Sequence, residues 1–245
     1  MPESEAYSNI VGEYMHKFIS SVRLASYSDC NDYQEYIENI KVCGALYSRL
    51  HIFEIVLRNA IDKFFQEQLR ENNWTINALF KTSDLKFDEY MMNSIFESYN
   101  RKNKPKIYKV DGKYPKPPEE NQHILLHDDL IGNISLGFWV SCFDSSFLKS
   151  SGLNIELWLD KILGHKFEKR KKNQKRENYV IKVLNDYKKE IQTIHNLRNR
   201  VFHFEKIYGH KMYNHSNMKD LLDKYIRKLY STDELMDIVL KCDQP

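Results

Sequence analysis

Glycine and proline are scarce in this 245-residue chain, with 8 and 6 occurrences, which excludes collagen-like and low-complexity classes. Cysteine is scarcer still. The four residues Cys30, Cys43, Cys142 and Cys242 are scattered with no C-x-x-C pair, which argues against a zinc ribbon, a thioredoxin-type site or a disulfide framework and fits a reducing cytoplasm. No apolar run approaches the length of a membrane span, and the N-terminus, MPESEAYSNI, is acidic where a signal peptide needs Lys or Arg. The expectation is a soluble, cytoplasmic protein that is not exported and has no membrane partner. A hydrophobic content of 42%, with 16 Tyr and 13 Phe, supplies a core and excludes intrinsic disorder. A chain of this length buries roughly 70 to 75% of its unfolded surface, so one domain over residues 1–245 needs no structural metal.

The few prolines are also unevenly placed. Four of the six, Pro105, Pro115, Pro117 and Pro118, lie together, leaving two long proline-free blocks from Glu3 to Lys104 and from Glu119 to Gln244. Proline removes a donor from a helix interior and clashes with the preceding turn, so both blocks permit helix throughout. Periodicity supports it. Val42, Leu46, Leu50, Phe53, Leu57, Ile61 and Phe64 make one stripe, predicting a helix to about Arg70. Val180, Leu184, Tyr187, Ile191, Ile194, Arg198 and Val201 make a second. Shorter helices are expected near residues 5–27, 32–40, 86–100, 154–163 and 216–241, and the apolar run Ile134 to Phe143 reads as a buried helix between helices. No alternating strand pattern occurs, so the fold class is all-α with little or no sheet. Residues 101–120 read as a basic, Pro/Lys-rich loop inserted in it.

The formal net charge of +3 conceals a strong asymmetry. Residues 101–116 and 166–176 each carry +6, leaving −9 for the remainder. Two such runs, the second including Lys169, Arg170, Lys171 and Lys172, suit a polyanion, since clustered cations release counterions on meeting phosphates. Solvated loops or lipid headgroups would satisfy the same runs.

At the end of the second stripe stands Arg198-Asn199-Arg200-Val201-Phe202-His203, an R-N-x-x-x-H pattern expected by chance roughly 0.03 times in a chain of this composition. Arg198 falls at the edge of an apolar seam, although Leu197 beside it offers an alternative packing residue. A charge there needs an anionic partner, either a carboxylate such as Glu54 or a phosphate. His195, Asn199 and His203 share one helical face, but the two imidazoles are two turns apart, too far to share a metal ion. The best metal candidate is instead His123, His127 and Asp128, where H-x-x-x-H lacks the Glu of H-E-x-x-H. No metal or cofactor is expected. Arg198 and His203 are about 140° apart around a helix, so a second protomer is a natural source of the opposite wall.

Three blocks, FEIVLRNAI (Phe53 to Ile61), HDDLIGNISLGFWV (His127 to Val140) and LRNRVFHFEKIY (Leu197 to Tyr208), resemble in order and spacing the Abi-like proteins of bacterial abortive infection, members of the HEPN superfamily of helical ribonucleases. The resemblance implies a HEPN-type bundle with additional helices, a homodimer with a composite cleft, and metal-independent RNA cleavage through the 2′-hydroxyl, in phage defence or as a toxin. It implies that His203 acts as general acid or base, that Arg198 holds the scissile phosphate, and that Asn199 orients His203 or bonds the phosphate. Glu54, Arg58 and His195 would support the site, with Glu54 and Arg58 equally readable as a plain ion pair. Lys169, Arg170, Lys171, Lys172 and Arg200 would contact RNA, and a regulatory RNA or antitoxin is a further expected partner. Phe204 stands where members often carry a second histidine, Lys206 replaces a frequent proline, and Glu205 occupies the place of an adenylylated tyrosine. The alternative is a non-catalytic helical module that binds RNA or protein within a defence system.

Overall fold

The computed structural model describes residues 26–27, 33–70, 72–103, 106–112, 114–122, 125–168, 174–207, 209–210, 213 and 215–229. Nine α-helices and no sheet occur among them: α1 (Tyr33–Leu69), α2 (Trp74–Leu79), α3 (Glu89–Lys102), α4 (His127–Asn133), α5 (Leu136–Ser141), α6 (Ser145–Ser150), α7 (Ile155–Leu163), α8 (Gln174–Phe202) and α9 (His215–Leu229). The all-α expectation is met. The segments expected at 32–40 and from Val42 are one uninterrupted helix of 37 residues, because nothing between them breaks it. Most of the N-terminal helix expected at 5–27, and the chain beyond Leu229, lie outside the described residues. The apolar run around Trp139 is helical, as α5, and the short helices α2, α4 and α6 around it carry too few turns to show a period in the sequence.

Helices α8 and α9 both pack against α1. Cys43, Leu46, Leu50, Phe53, Leu57, Ile61 and Phe64 line the buried face of α1, and Leu184, Ile191, Ile194, Leu197 and Val201 line that of α8. The pairs Glu54–Arg198 and Tyr47–Phe202 step in opposite directions along the two chains, so α1 and α8 are antiparallel. Arg49, only 1% exposed, joins α1 to α9 through a 2.9 Å bond from its Nε to Asp223 Oδ1. A guanidinium so buried is tolerated because a carboxylate meets it.

At the other end of α1, Trp74 packs edge to face with Phe65 and Trp139, Phe138 does so with Trp139, and Trp158 lies tilted against Phe65, joining α1, α2, α5 and α7. Within this layer the buried imidazole of His127 is bonded at both nitrogens, Nδ1 to Thr75 Oγ1 at 2.7 Å and Nε2 to Asp62 Oδ1 at 2.8 Å. Trp74 Nε1 and Gln66 Nε2 donate to the same Asp62 carboxylate. His127 is therefore a core cross-link. Asp128 is exposed, His123 lies outside the described residues, and no cluster suited to a metal ion occurs among the described ones. The basic connection after α3 is anchored by Asn100, whose amide both donates to and accepts from the backbone of buried Ile107, and by Tyr114 stacked on Phe96. No described helix is long and apolar enough to cross a membrane.

Candidate functional site

The last two turns of α8 bring the motif to the surface beside the middle of α1. Leu197, fully buried, carries the apolar seam, which leaves Arg198 at its edge, 27% exposed. Arg198 Nε donates to Glu54 Oε2 at 3.3 Å, and the guanidinium carbon stands 4.2 Å from the centre of the Phe202 ring, one turn on. Tyr47 of α1 stacks on Phe202 at 4.7 Å. Glu54 thus takes the Nε edge of the guanidinium, Nη1 faces Asn199 Oδ1 weakly at 3.5 Å, and Nη2 has no hydrogen bond among the described residues. This is an arginine held by its inner edge and presented by its outer one.

Asn199 continues the polar row. Its Nδ2 lies 3.4 Å from His195 Nε2, and Gln192 Nε2 lies 3.1 Å from His195 Nδ1. Burial, then the Arg198 cation, lowers the His195 pKa below its ordinary value, with Glu54 opposing, so the ring is neutral at pH 7. A neutral imidazole accepts at one nitrogen and donates at the other, so two amide nitrogens cannot both serve it. Arg198 faces Asn199 Oδ1 and keeps that amide's nitrogen toward the ring. Gln192 Nε2 also donates to Asn196 Oδ1 at 3.1 Å, which holds that amide's nitrogen at the same end, so only one of the two amides donates to the ring at a time. A single chain of polarised contacts runs from Glu54 through Arg198 and Asn199 to His195 and Gln192.

His203 ends the helix. Its N–H bonds to Asn199 O at 3.1 Å, and the next two amides close the helix end: Phe204 N to Val201 O at 3.1 Å and Glu205 N to Arg200 O at 2.9 Å. This pattern requires a left-handed residue after the cap. Phe204 supplies it, at φ 51°, where glycine is the usual occupant. The turn leaves the His203 imidazole exposed. Buried Asn39, one turn before Cys43 on α1, clamps the chain after this turn: its Nδ2 donates to Glu205 O at 3.2 Å and its Oδ1 accepts from Ile207 N at 2.6 Å.

Glu54, Arg198, Asn199 and His195 are thus brought together, with His203 at the cap of the same helix. Two expected members point elsewhere. Arg58 donates to Gly132 O at 3.2 Å, near the C-terminus of α4, where a cation complements the helix dipole, and Glu54 is engaged by Arg198 instead. Arg200 pairs with Glu205 at 3.5 Å and lies over the Tyr213 ring. Lys169, Arg170, Lys171 and Lys172 lie outside the described residues. Asn39, Tyr47, Phe202 and Gln192 are absent from the expected site. Asn39 had a visible signal, a polar residue four before Cys43 on an apolar stripe.

On the flank of this row, α3, α5 and α8 enclose a cavity of about 220 Å³ lined by Tyr90, Gly137, Asp144, Lys188, Gln192 and His195 among others. Lys188 and Asp144 form an ion pair across it. Gly137 seats the tyrosine: a Cβ there would stand 2.1 Å from Tyr90 Oη, so the phenol would have to shift outward.

Comparison with protein-family models, with curated proteins and with solved structures finds no match for this chain.

Proposed function

We propose that this chain is a metal-independent endoribonuclease of the abortive-infection type, acting in the cytoplasm on RNA as a homodimer, under control of an antitoxin or regulatory RNA. The supporting observation is the presentation of Arg198: Glu54 and Phe202 fix the guanidinium while its outer edge stays available, one turn before the exposed His203. An arginine so oriented suits the non-bridging oxygens of a phosphodiester and the charge they gain in the transition state. His203 then removes the 2′-hydroxyl proton; the 2′-oxygen attacks phosphorus, the 5′-oxygen leaves, and a protonated imidazole supplies its proton. Because Arg198 and His203 are offset around α8, the second copy completes the cleft.

A second reading, a non-catalytic helical module, is favoured by the pairing of Arg198 with Glu54, which satisfies part of the guanidinium without a ligand. The two are separated by incubating total RNA in EDTA with wild type and with the Arg198→Ala, His203→Ala double variant. The nuclease yields 2′,3′-cyclic phosphate and 5′-hydroxyl ends only with wild type. Salt-sensitive RNA binding without products establishes the module, and equal cleavage by both proteins removes the motif from the chemistry.

A further inference from the structure

The cavity beside the polar row has an unusual chemistry for a charged surface. Its cation, Lys188, is neutralised by Asp144, so it offers no net charge to a phosphate. The remaining lining polar groups, the Tyr90 phenol, the Gln192 amide, the His195 imidazole and the Ser141 hydroxyl, which donates to Gly137 O at 3.0 Å, are uncharged donors and acceptors. Tyr90 is 52% exposed, so one face of a large ring is accessible at the rim. Gln192 has one end of its amide on His195 and Asn196, and the other end has no hydrogen bond among the described residues. A planar, neutral ligand with hydrogen-bonding edges fits this set, and at about 220 Å³ the space suits a single ring system rather than a longer ligand. Through His195 and Asn199 the cavity is joined directly to Arg198.

We infer that this cavity is a nucleobase subsite, in which Tyr90 stacks on, and Gln192 reads the edge of, one unpaired RNA base flanking the phosphate held by Arg198. The inference rests on the ribonuclease reading for the position of the phosphate, but not for the existence of the pocket. Tyr90 and Gln192 are then specificity-determining residues rather than catalytic ones. Stacking tolerates any base, and the amide chooses among them by matching donors to acceptors. Gly137 is the third requirement, since a methyl group there displaces the Tyr90 hydroxyl from its seat.

The test measures binding and cutting separately. Fluorescence anisotropy with uncleavable 2′-deoxy tetramers of A, C, G and U is run on wild type, Tyr90→Ala, Gln192→Leu and Gly137→Ala, with circular dichroism to verify equal helix content. Wild type should prefer one base. Tyr90→Ala should weaken that tetramer by about 5- to 100-fold. Gln192→Leu should level the four affinities, and Gly137→Ala should act like a weaker Tyr90→Ala. Equal affinities in wild type, no binding at all, or variants that keep the wild-type preference would overturn the subsite. In parallel, 5′-hydroxyl ends from a randomised RNA are sequenced. Base preference at one fixed distance from the cut, lost in Tyr90→Ala, supports both proposals. Preferential binding without any cut by wild type keeps the subsite and refutes the nuclease. Cutting whose base preference is unchanged in Tyr90→Ala and Gln192→Leu refutes the subsite and keeps the nuclease.

Discussion

Replacing Asn39 by leucine should destabilise the protein far more than a change at one helix position suggests. The side chain is fully buried and close in volume to leucine, so the substitution changes little in packing but removes both hydrogen bonds to the chain after His203, along with a 3.7 Å contact from Nδ2 to Cys43 Sγ. The Ile207 N–H, beside a side chain 1% exposed, loses a 2.6 Å bond and is stranded, at about 1–3 kcal/mol. The Glu205 carbonyl belongs to an exposed residue and can turn to water, so its loss costs only the net worth of the bond, about 0.5–1.5 kcal/mol. The total is about 1.5–4.5 kcal/mol, offset slightly by the better transfer of leucine. Asn39→Asp keeps an acceptor for Ile207 but buries a carboxylate whose second oxygen faces the Glu205 carbonyl, so it should be no better tolerated than leucine at neutral pH. Urea unfolding followed by circular dichroism gives both values, and hydrogen exchange at Ile207 reports the local effect. A loss under about 1 kcal/mol for Asn39→Leu, or unchanged hydrogen exchange at Ile207, would refute the assignment of Asn39 as the clamp on the chain after His203.

Asp223→Ala removes a carboxylate bonded at 2.9 Å to a guanidinium only 1% exposed and should cost about 1.5–3 kcal/mol, the worth of a hydrogen bond to a charged group; a loss under about 0.5 kcal/mol in thermal melts would refute Asp223 as a partner that holds Arg49. Phe204→Gly relieves a left-handed backbone at an exposed side chain and should add about 1 kcal/mol, raising Tm by about 2–4 °C, with an unchanged or lower Tm as the contrary result. His195 and His165 both have pKa values lowered from the usual 6.5, each chiefly by burial and secondly by a nearby cation, Arg198 and Lys228 respectively. The unfolded chain therefore binds protons first, and stability falls as pH drops through 6.5 toward the folded values, then levels. The stability slope between about pH 7.5 and 5.5 should flatten in His195→Gln, and an unchanged slope would assign the effect elsewhere.

The long helices were legible because their apolar residues repeat over many turns: the stripe from Leu46 to Phe64 is the buried face of α1. The first member of that stripe is Cys43 rather than Val42, since Cys43 is buried and Val42 only half so, and both residues are apolar enough to satisfy the period. Arg198 was legible as an anomaly, a charge at a seam, and Glu54 as a possible partner. The orientation of Arg58 was not, because an i, i+4 carboxylate looks sufficient in one dimension, and Gly132 approaches only in three. The same holds for the Tyr90 cavity. Its walls come from α3, α5 and α8, and no local spacing encodes that the Tyr90 hydroxyl comes to rest over Gly137. His127 shows the converse hazard: the residue pattern suggested a metal ligand, yet both ring nitrogens are occupied by Thr75 and Asp62 in the core.

The antiparallel pairing of α1 with α8 has a bearing on synthesis. Glu54 leaves the ribosome 144 residues before Arg198, an interval of about 7–30 s at ordinary elongation rates. Throughout it the apolar stripe of α1 lacks the partners that α8 and α9 provide, and the motif arginine does not yet exist. The buried face of α1 must therefore wait for the helices that cover it, and a chaperone that shields this stripe would act during that interval.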